Sequence, residues 1–212
     1  MIRLMRLGDR GAAMLETALI TPVFFALIFG IIEFGLVYRD TLTAADAAGS
    51  GARMGAILGP RPTPTNVSAD FEIIRAVRQS LGAIPVEWVD RIVVFKAQGP
   101  GAGSPTSQIT NECKNGVSVP GLCNVYDPGN AFLAIQSSDN NAAFFECPSG
   151  RACPWAPYTR KNGPTVFDIE YLGVWIRIQR PGLTGLFAKE FTIEQASVVR
   201  LEPSDLELGG LG

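Results

Sequence analysis

The sequence predicts an α+β protein: one long N-terminal transmembrane helix followed by a small extracytoplasmic domain built on an antiparallel β-sheet. Three observations predict it. Thr17 to Ile32 contains no charged residue. Small residues recur through Ala44, Ala48, Ala52 and Ala56 before the run Gly59-Pro60-Arg61-Pro62-Thr63-Pro64. Near the C-terminus, two segments rich in β-branched and aromatic residues alternate in polarity.

The uncharged run covers about 24 Å at ~1.5 Å rise per residue, less than the roughly 30 Å hydrocarbon core of a bilayer. A spanning helix therefore extends past the run and brings Glu16, Glu33 or both to the hydrocarbon edge, where an ionisable group costs roughly 2.5–3.5 kcal/mol on insertion scales. Arg3, Arg6 and Arg10 against Asp9 precede the run. The positive-inside bias then keeps the N-terminus cytoplasmic and exports everything after Tyr38. Glu33 is expected to snorkel to the headgroups. A conventional signal peptide cleaved at Ala45-Asp46-Ala47 is disfavoured, because Glu33, Arg39 and Asp40 lie between that site and the apolar core.

The helix is expected to continue to Leu58, where prolines withdraw donors and bias their predecessors away from helical angles. Ala47, Gly51, Gly55 and Gly59 form a second small-residue row beside the alanine row. Such rows allow close approach of another element, either the chain's own domain or a neighbouring subunit. Next, Ser68 or Asp70 can cap a helix whose face carries Phe71, Ile74, Val77 and Leu81. Trp88 to Phe95 reads as a strand, Gln98 to Pro105 as a flexible loop, and Ala131 to Ile135 as a short apolar piece. Val166 to Ile178 and Phe191 to Leu201 are expected to pair antiparallel, since the link between them is too short for a crossover helix.

The formal net charge of −2 gives no electrostatic case for a nucleic-acid partner. The chain has no His, which removes Ser-His-Asp and Cys-His chemistry and His-based metal sites; no cofactor is expected. The Gly99–Gly103 segment lacks the Lys-Ser/Thr that phosphate binding requires. Asp139-Asn140-Asn141 reads as a turn, and Asp168 with Glu170 as a solvated strand face, although an anchored hydrolase would have to use that pair. The four cysteines, Cys113, Cys123, Cys147 and Cys153, all lie in the exported part, where disulfides persist. Three connectivities are possible. The local pairs Cys113–Cys123 and Cys147–Cys153 are favoured because each closes a short loop through Gly/Pro-rich sequence.

An Arg-containing leader, a Gly and then Glu five positions later at the start of an apolar helix resembles the prepilin-peptidase signal of type IV pilins. The stretch Arg10-Gly11-Ala12-Ala13-Met14-Leu15-Glu16-Thr17-Ala18-Leu19-Ile20-Thr21-Pro22 is similar to the TadE-like pseudopilins of the tight-adherence (Flp) pilus system, as is Ala47-Ala48-Gly49-Ser50-Gly51-Ala52-Arg53-Met54-Gly55-Ala56. Trp155-Ala156-Pro157 and Val199-Arg200-Leu201-Glu202-Pro203 are more weakly similar. The resemblance implies a leader over residues 1–11, a transmembrane and extended helix over 12–58, and an exported domain over 59–212. It also implies cleavage after Gly11 by a prepilin peptidase, a free amine on Ala12, and a Glu16 that neutralises a neighbouring subunit's amine during assembly. The implied protein is a non-enzymatic pilus component whose partners are the peptidase, other pilin subunits and the lipid bilayer. Glu16, outside the exported domain, is expected to matter for assembly and not for folding. The rival reading keeps the helix as a mere tether for an extracytoplasmic binding module.

Overall fold

The computed structural model describes residues 10–59, 69–136, 145, 154–163 and 169–202. Helix α1 runs unbroken from Arg10 to Leu58, 49 residues, or about 74 Å at the α-helical rise. Pro22 sits inside it and removes one backbone donor. In the same stretch the hydroxyls of Thr17 and Thr21 donate to the carbonyls of Ala13 and Thr17 at 2.8 and 2.6 Å, so neither hydroxyl is left unpaired. The helix ends where Gly59 turns left-handed, φ 52°, while its N–H still reaches the Gly55 carbonyl at 3.0 Å.

Helix α2 (Ala69–Ser80) lays Phe71, Ile73, Ile74 and Val77 into the core. Strand β1 (Val89–Ala97) follows a short 3-10 turn, and α3 (Asn111–Lys114) leads to β2 (Cys123–Tyr126). The apolar piece at Ala131–Ile135 is part of a helix, α4 (Pro128–Gln136). The long strands β3 (Tyr171–Pro181) and β4 (Glu190–Arg200) close the described chain. They form a hairpin, as expected, within a four-stranded antiparallel sheet ordered β2-β1-β3-β4.

Alternation decides the two faces of this sheet. Ile92, Val94, Leu172, Val174, Ile176 and Ile178 face the helices and share one core with Ala44, Ala47, Ala48 and Ala52 of α1 and the apolar face of α2. Val93, Phe95, Ala97 and Trp175 face the other way, into a smaller core with Ile109, Cys113 and Cys123. A disulfide joins Cys113 to Cys123 and ties α3 to the start of β2. Cys147 and Cys153, and with them the second expected bridge, lie outside the described residues, as do Ser68, Asp139-Asn140-Asn141 and Asp168.

The small-residue rows of α1 serve the chain's own domain. A Cβ on Gly51 would lie 2.5 Å from Val77 Cγ2, and one on Gly55 would lie 2.9 Å from both Ile73 Cδ1 and Leu172 Cδ2. Both distances are shorter than real carbon contacts, so glycine at these positions is what lets α2 and β3 seat against the helix.

Candidate functional site

The feature with functional content is α1 itself, because its surface changes character along its length. From Met14 to Ile32 the large apolar side chains Met14, Leu15, Leu19, Ile20, Val23 and Phe24 are exposed. The helix that carries them is long and apolar enough to cross a membrane. Glu16 stands exposed in its first turns, away from the folded domain. Gly11 and Ala12 lie at the start of the helix, one and two residues past Arg10. The processing and assembly residues read from the sequence therefore sit together at the far end of the helix from the sheet.

The domain begins to touch the helix at Gly30, where Phe187 Cζ comes within 3.1 Å of an added Cβ. One turn on, Glu33 is fully buried. Its Oε1 accepts from the Leu183 backbone N–H at 3.0 Å and its Oε2 from the Thr184 hydroxyl at 2.8 Å. Both donors belong to the turn that links β3 to β4. The expectation that Glu33 snorkels to headgroups is thereby corrected: the hairpin reaches back along the chain, buries the carboxylate and satisfies it with neutral donors. Gly182 makes the approach possible, because a Cβ there would meet Glu33 Oε1 at 3.0 Å and clash with the Ala188 carbonyl oxygen.

Two further turns along, Asp40 is also fully buried. It pairs with Arg180 of β3 and with Arg39, whose Nη2 lies 2.7 Å from Oδ1. The Arg180 guanidinium also lies over the Trp88 ring, 5.3 Å from its centroid. Glu33 and Asp40 are seven residues apart, which places them on one face of α1, and Ala44, Ala47, Ala48 and Gly51 extend that face. The face is thus a single docking strip with two carboxylates at its N-terminal end.

A second buried polar cluster holds α2 to the rest of the domain. Asp70 does not serve as the cap anticipated from the sequence. It lies in the first turn of α2 and accepts from Arg160 Nη2 at 2.5 Å, from Asn124 Nδ2 at 2.7 Å and from the Tyr126 hydroxyl at 2.7 Å. Arg160 stacks over Trp155, 4.4 Å from the ring centroid. Burial, together with the neighbouring Asp70 carboxylate, pushes the Tyr126 phenol well above its ordinary pKa and keeps it a neutral donor.

Of the residues weighed for catalysis, Glu170 and the Gly99–Gly103 loop lie among the described residues, and both serve local structure. Glu170 accepts from Lys96 Nζ at 2.7 Å and from the Lys161 backbone N–H at 3.1 Å. In the Gly99–Gly103 loop, the Gln98 and Gly99 amides donate to Gln108 Oε1. No group of three or more His, Cys, Asp or Glu side chains able to hold a metal occurs among the described residues. The buried partners of Glu33, Asp40 and Asp70 escaped the sequence reading, which singled out neither Arg180 nor Arg160. A signal for the first two was present, since both carboxylates fall on the helical strip that the small residues continue.

No curated protein and no solved structure matches the chain. The family model described as TadE-like protein matches residues 11–53, from the glycine at the expected cleavage junction to the middle of the small-residue strip. In agreement with the resemblance read from its N-terminal motifs, the segment from Gly11 to Arg53 is similar to the TadE-like family.

Proposed function

We propose that the protein is a minor pilin or pseudopilin of a tight-adherence type pilus or related secretion machine: a single-pass, non-enzymatic membrane component with its N-terminus cytoplasmic and its folded domain exported. In this reading a prepilin peptidase cleaves after Gly11, and Glu16 neutralises the Ala12 amine of a neighbouring subunit during assembly. The observation that carries the proposal is the coincidence of the TadE-like match over residues 11–53 with a helix whose first half is exposed, apolar and free of the domain. A carboxylate and an ammonium group brought together at the hydrocarbon edge relieve each other's desolvation, and removal of one strands the other.

Mass spectrometry of membrane-extracted protein tests the processing step. The mature chain is expected to begin at Ala12, and Gly11→Leu is expected to keep the leader. A mature chain that starts at Met1, or downstream of α1's apolar half, overturns the reading. Glu16→Gln tests the assembly role: the variant should insert, be cleaved and melt like the parent chain, yet fail to co-purify with other pilin subunits. Co-purification at the parental level would remove the ion-pair role from Glu16.

A further inference from the structure

The turn between β3 and β4 presents an apolar tip that the fold does not cover. Leu183 and Leu186 are each 61% exposed and Phe187 is 45% exposed. No charged residue occurs between Arg180 and Lys189. The tip is held in a fixed place. Gly182 N–H donates to the Lys189 carbonyl at 2.8 Å to close the turn, and Gly185 takes a left-handed φ of 66° at its apex. Leu183 and Thr184 bind Glu33. The Phe187 ring packs on Gly30 and lies 5.6 Å from the Phe34 ring, centroid to centroid. The exposed side chains therefore stand beside α1 at the level where its uncharged run ends.

That level decides what covers them. If the span starts near Ala13, about 30 Å of helix ends near Ile32, so Gly30 lies just inside the hydrocarbon and the Phe187 ring lies beside it. The neighbouring helical surface, Phe29, Ile31 and Phe34, is exposed and apolar as well, so the tip and the helix form one continuous apolar surface. Lys189, exposed where the tip meets β4, lies on the domain side, where headgroups would be. We propose that the β3–β4 turn is a second membrane contact, entering the acyl-chain region of the domain-side leaflet next to α1. The inference rests on the reading of α1 as a membrane span. It explains why a helix carboxylate at the hydrocarbon edge is sealed from lipid by this turn, and it fixes the sheet upright on the bilayer with little freedom to rotate about α1.

Fluorescence quenching by lipids brominated near the carbonyl end of their acyl chains tests it. The full chain is reconstituted in phosphatidylcholine vesicles as three separate variants, each compared with the parent chain: Leu186→Trp at the tip, Phe24→Trp in the proposed span, and Val117→Trp at the opposite end of the sheet. Val117 is exposed and lies near Cys123, whose β3 level is about 27 Å of strand from the turn. The fluorescence added by Leu186→Trp should fall about twofold in the brominated vesicles, that of Phe24→Trp should also fall, and that of Val117→Trp should not change. If Phe24→Trp is quenched and Leu186→Trp is not, the turn is outside the bilayer and the proposal falls while the span stands; insensitivity of Leu186→Trp to aqueous iodide as well would identify protein as its cover. If Phe24→Trp is not quenched, both readings fall.

Discussion

The two halves of α1 share one backbone geometry and bury their surfaces in opposite ways. From Met14 to Ile32 the helix is surrounded by large side chains that the domain leaves bare. From Glu33 to Gly59 one face is pared down to alanine and glycine, and α2, β3 and β4 press against it until Ala44, Ala47, Ala48 and Ala52 are fully buried. As a membrane span, the role proposed for it, the first half needs only apolar surface, since hydrocarbon adapts to any side-chain shape. The second meets a solid, close-packed partner, where a single added methyl group is felt. The chain between them marks the boundary with Glu33, which neither environment would accept without the hairpin that covers it.

The comparison is broken most severely at Asp40. Asp40→Asn leaves the Arg180 charge buried beside Trp88 with only the amide for a partner, and loss of one member of such a pair costs about 3–5 kcal/mol. A large drop in the melting temperature of the detergent-solubilised chain is expected, with recovery in the double variant Asp40→Leu, Arg180→Met, in which no buried charge remains at this site, the half-exposed Arg39 being free to turn to water. No recovery would show that the pair itself, and not the stranded charge, supports the hairpin.

Next in size is a contrast of sign between two glycines of the same helix. Gly51→Ala drives a methyl group into Val77 and should destabilise by about 1–3 kcal/mol. Gly35→Ala meets nothing within 4 Å and should be stabilising, by about 0.5–1 kcal/mol from helix propensity. Parallel melts of the two variants read the difference directly. Equal effects would mean that the strip is not packed as described.

The smallest effect belongs to the domain away from the helix. Tyr126 has its pKa raised by burial and by Asp70, so its neutral form is favoured in the folded state. Its contribution is complete below the ordinary phenol pKa of about 10 and is lost as pH rises above that value toward the folded-state pKa. Tyr126→Phe should cost about 1 kcal/mol at neutral pH, from the lost hydrogen bond, and should flatten the alkaline limb of the stability profile. An unchanged alkaline limb would assign that limb to other groups.

Much of this architecture is local and was therefore legible in the residues. The apolar run, the breaker at Gly59-Pro60, the alternation in β3 and β4 and the Cys113–Cys123 bridge are each written within a few to a dozen positions, and the structure agrees with them. The likeness of Gly11 to Arg53 to the TadE-like family was legible for the same reason, because its motif is contiguous. What no local pattern could supply was the partner of each buried group. Asp40 meets Arg180, Glu33 meets Leu183 and Thr184, and Asp70 meets Arg160, across separations of 140, 150, 151 and 90 residues. The small-residue strip announced a close approach without saying by what. The sequence by itself determined where the chain can be helical, extended or embedded, since those preferences follow from side-chain size, branching and charge at neighbouring positions. Only the tertiary structure decided that the hairpin would fold back on α1 and cover Glu33, because desolvating a carboxylate is tolerable only once remote donors have been brought to it.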